Sequence, residues 1–164
     1  MIIIKRDILI FPKFKNINLI QDIRKDYDRL VNLIPPHITL VFPFTDYIAN
    51  DDLIKKIKEC VKDIKPFKIK FKGVLLNNQN FIFLNCVYGN EEIINLHNKI
   101  YNEVLPTHLN KSVIYTPHIT LGKANNIDFL KNFEYEFEDI VDQIVIEEIG
   151  SNEESIIIGK INLN

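Results

Sequence analysis

A five-residue segment that occurs twice constrains this chain more than any other feature. Pro-His-Ile-Thr-Leu stands at residues 36–40 and again at 117–121. The four histidines form six pairs. The chance that any one of these pairs shares four identical neighbouring residues by accident is on the order of one in several thousand. The repeat therefore indicates two related halves with the same local structure.

Each copy is typical of a β-strand whose side chains alternate between two faces. His37 and Thr39 point to one face of the first strand, and His118 and Thr120 point to one face of the second. The Ile and Leu of each copy point the other way. Each motif therefore buries an apolar pair against helices and offers an imidazole beside a hydroxyl on the opposite face of the sheet.

The other predicted elements interleave strands and helices in a similar order in both halves. Periodicity predicts strands at 2–11, 37–42, 67–72, 81–88, 117–121, 138–148 and 155–163. It predicts helices at 17–31, at 91–104 and, as a short one, at 126–132, and another that begins at 51 and carries Leu53, Ile54, Ile57 and Val61 before it ends ahead of Pro66. Hairpin and crossover connections together predict an α+β fold. Since no linker interrupts the chain, we expect one domain over residues 1–164.

Two imidazoles that face each other across a groove suit phosphoryl chemistry. One can take a proton from the nucleophile and the other can give one to the leaving oxygen near neutral pH. The hydroxyls of Thr39 and Thr120 can donate hydrogen bonds to non-bridging phosphate oxygens. No histidine has the closely spaced Cys, His or carboxylate that a zinc site needs. We therefore expect neither a metal nor a cofactor.

The sequence resembles the two-histidine (2H) phosphoesterase superfamily, which includes the bacterial 2′-5′ RNA ligase-like proteins. The family signature is two His-x-Thr/Ser-x motifs, matched here by His37-Ile-Thr39-Leu and His118-Ile-Thr120-Leu. The resemblance implies a bilobed, pseudo-twofold α+β fold, with two mainly antiparallel sheets, helices on the outer faces and both motifs in a central groove. It also implies a phosphodiesterase that opens 2′,3′-cyclic phosphates of nucleotides or RNA ends to 2′-phosphates, or joins RNA ends by reversible 2′-5′ ligation.

The resemblance also suggests roles for individual residues. One histidine is the general base for water and the other is the general acid for the departing ribose oxygen. We take His118 as the base and His37 as the acid, although the sequence leaves this order open. Many relatives carry a basic residue two positions after the second Leu, where this chain has Lys123, so we expect Lys123 to bind phosphate. Phe42 and Phe44 are candidates for stacking on a base, with core or rim packing as the favoured alternative.

Charge is distributed unevenly along the chain. Residues 1–82 hold 15 Lys and Arg against 9 Asp and Glu, whereas residues 83–164 hold 5 against 13. Lys68, Lys70 and Lys72 share one face of a predicted strand, where they either line a basic groove or solvate an outer face. The alternative function is therefore a non-catalytic RNA-binding or regulatory module with the same fold.

The remaining histidines and the cysteines favour structural roles. His97 lies on the apolar side of its predicted helix, so we expect a hydrogen-bonded, partly buried residue there. His108 is expected in a solvent-exposed loop, with a place at the groove border as the alternative. Cys60 and Cys86 have no partner at metal-ligand spacing, and we expect free thiols.

The chain lacks the sequence features of a secreted or membrane protein. Charge follows the first three apolar residues after Met1, and no apolar stretch approaches the length of a bilayer span. We expect a cytoplasmic monomer whose partner is a nucleotide or an RNA with a cyclic phosphate end.

Overall fold

The computed structural model describes residues 2–164 and contains, within that range, one eight-stranded antiparallel sheet with three α-helices. The strands are β1 (Ile4–Ile10), β2 (Ile38–Asp46), β3 (Phe67–Leu76), β4 (Phe81–Tyr88), β5 (His118–Lys123), β6 (Phe137–Val141), β7 (Gln143–Ile149) and β8 (Ser155–Asn162). The helices are α1 (Asn18–Tyr27), α2 (Asn50–Val61) and α3 (Asn90–Glu103), and two short 3-10 turns cover Pro106–His108 and Asp128–Leu130.

The sheet consists of two four-stranded lobes joined along one seam. The strand order is β6-β3-β4-β5-β2-β1-β7-β8, so β2 and β5 are the inner strands of the first and second lobe, respectively. These two strands pair only where Ile38 lies opposite Ile119. The expected α+β class with mainly antiparallel pairing is confirmed, and the two expected sheets are the two lobes of this continuous sheet.

Helices α1 and α3 cross between the lobes. Helix α1 follows β1 of the first lobe but packs against β5 of the second, and α3 follows β4 of the second lobe but packs against β2 of the first. This exchange has the pseudo-twofold symmetry expected from the repeated motif. The core of each lobe is therefore completed by a helix that follows a strand of the other lobe.

The repeated motifs bury the residues expected from strand alternation. Ile38, Leu40, Ile119 and Leu121 are all 0% exposed and lie in the apolar core beneath the helices. Burying each of these side chains stabilises the fold by about 2 kcal/mol. The His and Thr of each motif are only partly buried, because they project from the opposite face of the sheet, called the open face below.

The strand expected at 138–148 is the main departure from the sequence-based elements. It is two strands, β6 and β7, separated only by Asp142. They lie in different lobes, since β6 pairs with β3 at the outer edge and β7 pairs with β1. A single separating residue leaves no turn signal in the sequence, so periodicity alone joins the two strands.

Two predicted helices are shorter than expected. Helix α1 ends at Tyr27 instead of residue 31 because Asp28 adopts an extended backbone. The Asp28 carboxylate accepts hydrogen bonds from the side chain of Arg24 and the amide of Leu30, which stabilises the turn that follows. The helix expected at 126–132 is only the 3-10 turn at Asp128–Leu130.

Both cysteines are buried free thiols, as expected. Burial raises the pKa of Cys86 to about 11 and that of Cys60 to about 12. Neither thiol therefore supplies a reactive thiolate near neutral pH. Over residues 2–164, no helix combines the length and the apolar character that crossing a bilayer requires.

Candidate active site

The two histidine motifs lie side by side at the seam between the lobes. Ile38 and Ile119 are directly opposed in an antiparallel pair. His37 and Thr120 flank this point on one side, and Thr39 and His118 flank it on the other. Both pairs lie on the open face, because the two isoleucines point into the core. The fold thus brings all four polar residues of the repeat to one place.

Both imidazoles are oriented by the same local hydrogen bond. The Nδ1 atom of His37 lies 2.9 Å from the carbonyl oxygen of Pro35, and that of His118 lies 2.8 Å from the carbonyl oxygen of Thr116. Since a carbonyl only accepts, each Nδ1 carries the hydrogen and each Nε2 is left to meet a substrate. A proline stands between the carbonyl residue and the histidine in both copies, and it keeps the preceding residue extended.

Burial is the main electrostatic influence on the pair. It lowers the pKa of His37 and of His118 below the ordinary value for histidine, because a charged imidazole loses hydration there. The accepting carbonyl of each histidine partly opposes this effect by raising the pKa. Both imidazoles are therefore mainly neutral near pH 7 in the free protein.

The two histidines differ in their aromatic neighbours. The ring of Phe83 stacks on His118 with centroids 3.7 Å apart and an angle of 21°. His37 instead meets Phe11 at 6.5 Å in an edge-on arrangement. The pseudo-symmetry of the motifs therefore does not extend to the chemistry around them.

Comparison with known families assigns the chain to a superfamily. The family model of the 2′-5′ RNA ligase superfamily matches residues 12–144. The chain belongs to this superfamily. The resemblance seen in the two motifs is thereby confirmed. Within the superfamily, a protein of Geobacillus sp. (strain WCH70) whose name assigns it to the phosphoesterases is 34% identical over 137 residues, covering 80% of this chain and 73% of the relative.

Solved structures share the fold of this superfamily member. Escherichia coli LigT, in a crystal structure with 3′-AMP, superposes with a TM-score of 0.71 at 12% identity, covering 99% of both chains. A protein of Thermus thermophilus superposes with a TM-score of 0.69 at 13% identity, covering 97% of both chains. At these identities the superpositions establish a shared fold. The relationship to phosphoesterases rests on sequence relatives such as the Geobacillus protein.

Lys123 lies at the end of β5, beyond the second motif of this 2′-5′ RNA ligase superfamily member. Its side chain is exposed, and its Nζ atom lies 4.6 Å from the centroid of the Phe81 ring. Within the described range 2–164 it forms no salt bridge. Its ammonium group is therefore able to meet an anion.

The two phenylalanines considered for base stacking differ in exposure. Phe42 is 40% exposed and lies edge-on to Tyr115 at 6.2 Å, beside a cavity of about 310 Å³. Phe44 is 6% exposed, packs against His108 at 4.9 Å and lies under the guanidinium of Arg6. The Phe44 ring offers no open face to a base, so the packing alternative is correct for Phe44.

Side chains close the gap where β2 and β5 separate, a feature that the sequence did not reveal. Beyond Ile38 the edge of β2 has no strand partner in β5. Side chains satisfy its main-chain groups instead. The Leu40 carbonyl accepts a hydrogen bond from His97 Nδ1 at 2.7 Å, and the Thr39 carbonyl accepts one from the Tyr115 hydroxyl at 2.7 Å. The Phe42 amide donates to the Tyr101 hydroxyl at 3.0 Å. The expectation for His97 is confirmed: it is 4% exposed and hydrogen-bonded.

The solvent-exposed position expected for His108 is wrong. Its side chain is 22% exposed, and its Nε2 atom lies 2.6 Å from Oδ2 of Asp46. This hydrogen bond lowers the pKa of the Asp46 carboxyl. The loop before β5 folds back on the end of β2, a long-range contact that local sequence does not encode.

The three lysines of β3 are paired with two acidic residues, Glu138 on the neighbouring strand β6 and Glu136 just before it. Lys70 lies 3.0 Å from Glu138 and 3.7 Å from Glu136, Lys68 lies 3.8 Å from Glu138, and Lys72 lies 3.9 Å from Glu136. Their positive charge is largely balanced where they lie. They therefore do not form the unopposed basic surface that one reading of the sequence suggested.

Proposed function

We propose that this protein is a metal-independent phosphodiesterase that hydrolyses 2′,3′-cyclic phosphates of nucleotides or RNA ends and leaves a 2′-phosphate. The observation that carries the proposal is the pair His37 and His118, in which a carbonyl holds each Nδ1 and no residue of 2–164 hydrogen-bonds either Nε2. The hydroxyls of Thr39 and Thr120 accompany them on neighbouring strands. This set supplies the proton donor, the proton acceptor and the neutral hydrogen-bond donors that such a reaction needs.

The proposed reaction is an in-line displacement at phosphorus. Nε2 of His118 takes a proton from water as the water oxygen bonds to phosphorus, and the bond to the 3′ oxygen breaks. Nε2 of a protonated His37 gives a proton to the departing 3′ oxygen. The two threonine hydroxyls donate hydrogen bonds to the non-bridging oxygens, where negative charge increases in the transition state.

Two further residues are proposed to hold the substrate. The ammonium group of Lys123 binds a phosphate oxygen, since within residues 2–164 no carboxylate neutralises it. The exposed ring of Phe42 stacks on a base. Crystal structures of LigT with 3′-AMP, ATP and NADP+ support nucleotide ligands for a protein of this fold.

The experiment that tests this function is turnover in EDTA of nucleoside 2′,3′-cyclic phosphates and of RNA with a cyclic phosphate end. We expect a 2′-phosphate product. His37→Ala or His118→Ala should lower the rate of the chemical step by about 10² to 10⁴, because each removes a proton-transfer group. The double variant should be little slower than either single one, since the two groups act together.

A control is Lys56→Ala, which removes an exposed side chain of α2, a helix that packs against α3 and not against the seam. It should retain the activity of the unmodified protein. Absence of turnover on all these substrates, or turnover that survives both seam substitutions, would contradict the proposal. Thermal unfolding of each variant checks that the fold is intact.

Reversible 2′-5′ ligation is a second candidate activity, favoured by the superfamily to which the chain belongs. It would appear as joining of an RNA end carrying a 2′,3′-cyclic phosphate to a 5′-hydroxyl. The non-catalytic RNA-binding alternative is less well supported, because the lysines of β3 are paired with Glu136 and Glu138. That alternative requires salt-dependent RNA binding that survives replacement of both histidines.

A further inference from the structure

The open faces of the two lobes differ beside the seam. In the first lobe the side chains that alternate onto this face are buried, with exposures of 6% for Asp7, 0% for Leu9, 2% for Val145 and 2% for Glu147. The segment between α1 and β2 is tied to this lobe by the Ser155 amide, which donates to the Leu33 carbonyl at 3.0 Å. In the second lobe Phe81 and Phe83 remain partly exposed. A substrate strand that extends beyond the seam therefore has an accessible surface to bind on the second lobe.

An aromatic row runs along that accessible surface, away from His118. Phe83 lies opposite Thr120 and stacks on His118, and Phe81 lies opposite Lys123. The rings of Phe81 and Phe83 are nearly parallel, at 16°, with centroids 6.4 Å apart. The Lys123 ammonium lies over Phe81 at the outer end. The aromatic row thus consists of Phe83 and Phe81, with the Lys123 ammonium at its end.

The open face along the seam extends further than the reacting phosphate requires. Because β2 and β5 are antiparallel, Phe42 and Lys123 lie at opposite ends of it, each four residues from the pair Ile38 and Ile119. At the rise of a strand, four residues correspond to about 13 Å in each direction. If the base of the reacting nucleotide lies at the Phe42 end, the aromatic row remains free for a second nucleotide.

We propose that Phe81 and Lys123 bind the nucleotide next to the reacting one, so that the preferred substrate is a single-stranded RNA end and not a free cyclic mononucleotide. This inference rests on the proposed phosphodiesterase function. An aromatic face stacks on any base, and a Lys ammonium binds any backbone phosphate. This subsite therefore recognises a nucleotide chain whatever its base sequence. On binding, the ammonium of Lys123 moves from the Phe81 ring to a phosphate oxygen, and the ring becomes available to the base.

The test compares kcat/KM for adenosine 2′,3′-cyclic phosphate with kcat/KM for an adenosine trinucleotide that ends in the same cyclic phosphate. The unmodified protein should prefer the trinucleotide by about tenfold or more, given the strength of base stacking on an aromatic side chain. Phe81→Ala should remove this preference and change kcat/KM for the mononucleotide by less than about twofold. Phe81→Tyr, which keeps a ring, should retain the preference.

Two further variants keep the test interpretable. Phe81→Leu preserves an apolar side chain beside Phe83 without a ring, and it should lose the preference even if the alanine variant is too unstable to use. Tyr47→Ala removes an aromatic side chain that is 54% exposed just after β2, away from the aromatic row, and it should retain the preference.

The outcomes separate this inference from the function on which it rests. Equal kcat/KM for the two substrates, or an equal loss on both in Phe81→Leu, overturns the RNA-end subsite and leaves the phosphodiesterase intact. Absence of turnover on both substrates overturns the proposed function. In that case fluorescence anisotropy with a labelled trinucleotide bearing a 2′-phosphate decides the subsite: weaker binding by Phe81→Leu supports it, and unchanged binding overturns it.

Discussion

At the scale of the residue, the environment of each imidazole determines the pH at which it can work. His37 and His118 both donate from Nδ1 to a carbonyl two residues earlier in the chain. Burial lowers the pKa of each below the ordinary value of about 6.5. Proton transfer in opposite directions then requires one imidazole to be neutral and the other to be charged.

This requirement predicts an acidic optimum for kcat/KM. The general base is active above its pKa and the general acid below its own, and both values are lowered in the free protein. We therefore expect a bell-shaped profile with its maximum below pH 6.5. The profile of kcat should lie at higher pH, because a bound phosphate anion favours the charged imidazole. Rates measured from pH 4.5 to 9 with a cyclic nucleotide check both statements, and a kcat/KM maximum above pH 7.5 would contradict the first.

At the scale of the element, the pairing of β1 with β7 carries a buried acidic pair. Asp7 lies directly opposite Glu147, and both side chains are almost fully buried. Burial, followed by the hydrogen bond to Glu147, raises the pKa of Asp7 to about 9. The hydroxyl of Ser155 donates to Glu147 on the other side. Asp7 is therefore protonated near neutral pH, which allows two adjacent strands to carry carboxyl groups opposite each other.

Asp7→Asn should stabilise the protein increasingly as pH rises. The stability that protonated Asp7 contributes is complete below its unfolded pKa near 3.8 and is lost as pH rises towards about 9, by up to about 1.4 kcal/mol per pH unit. Asparagine does not titrate and still donates to Glu147. The gain in unfolding temperature over the unmodified protein should thus be larger at pH 8 than at pH 5. The exposed substitution Asp63→Asn is the control, and a gain that shrinks at pH 8 would refute the assignment.

At the scale of the whole molecule, the contact between α1 and β5 holds the two halves together. Gly122, directly after the second motif, has φ of +138°, which favours glycine. A Cβ atom at this position would lie 2.3 Å from the carbonyl oxygen of Tyr27, at the end of α1. Glycine here permits the close approach of a helix from one half of the chain to a strand from the other.

Gly122→Ala should therefore destabilise the fold by about 3 kcal/mol or more, from backbone strain and overpacking together. Gly73→Ala is the matched control, because Gly73 also has a positive φ, +83°, but an added Cβ would meet nothing within 4 Å. That variant should lose only about 1–2 kcal/mol, the cost of the left-handed conformation alone. Denaturant unfolding measures both. Equal losses would show that the approach of α1 to Gly122 contributes little to stability.

Several features of the site depended on contacts between residues far apart in the chain. His108 was expected in solvent but binds Asp46, and Phe44 was a candidate for stacking but is buried. The lysines of β3 gain their partners only because β6 joins that edge of the sheet. Local periodicity does not predict such neighbours, because they depend on the order of strands in the sheet and not on the spacing of residues along the sequence.

The sequence by itself determined the motif strands, which face of each strand is apolar, and the four residues His37, Thr39, His118 and Thr120 that carry the candidate chemistry. Alternation of side chains along a strand is a local property, so a repeated string of five residues was sufficient to establish them. Only the tertiary structure decided that the two motifs meet at Ile38 and Ile119. It also decided that the open face of the first lobe is buried, and that an aromatic row extends from His118 over the open face of the second lobe. These depend on strand pairing and on helices that cross between the halves, and both arise only when distant parts of the chain pack together.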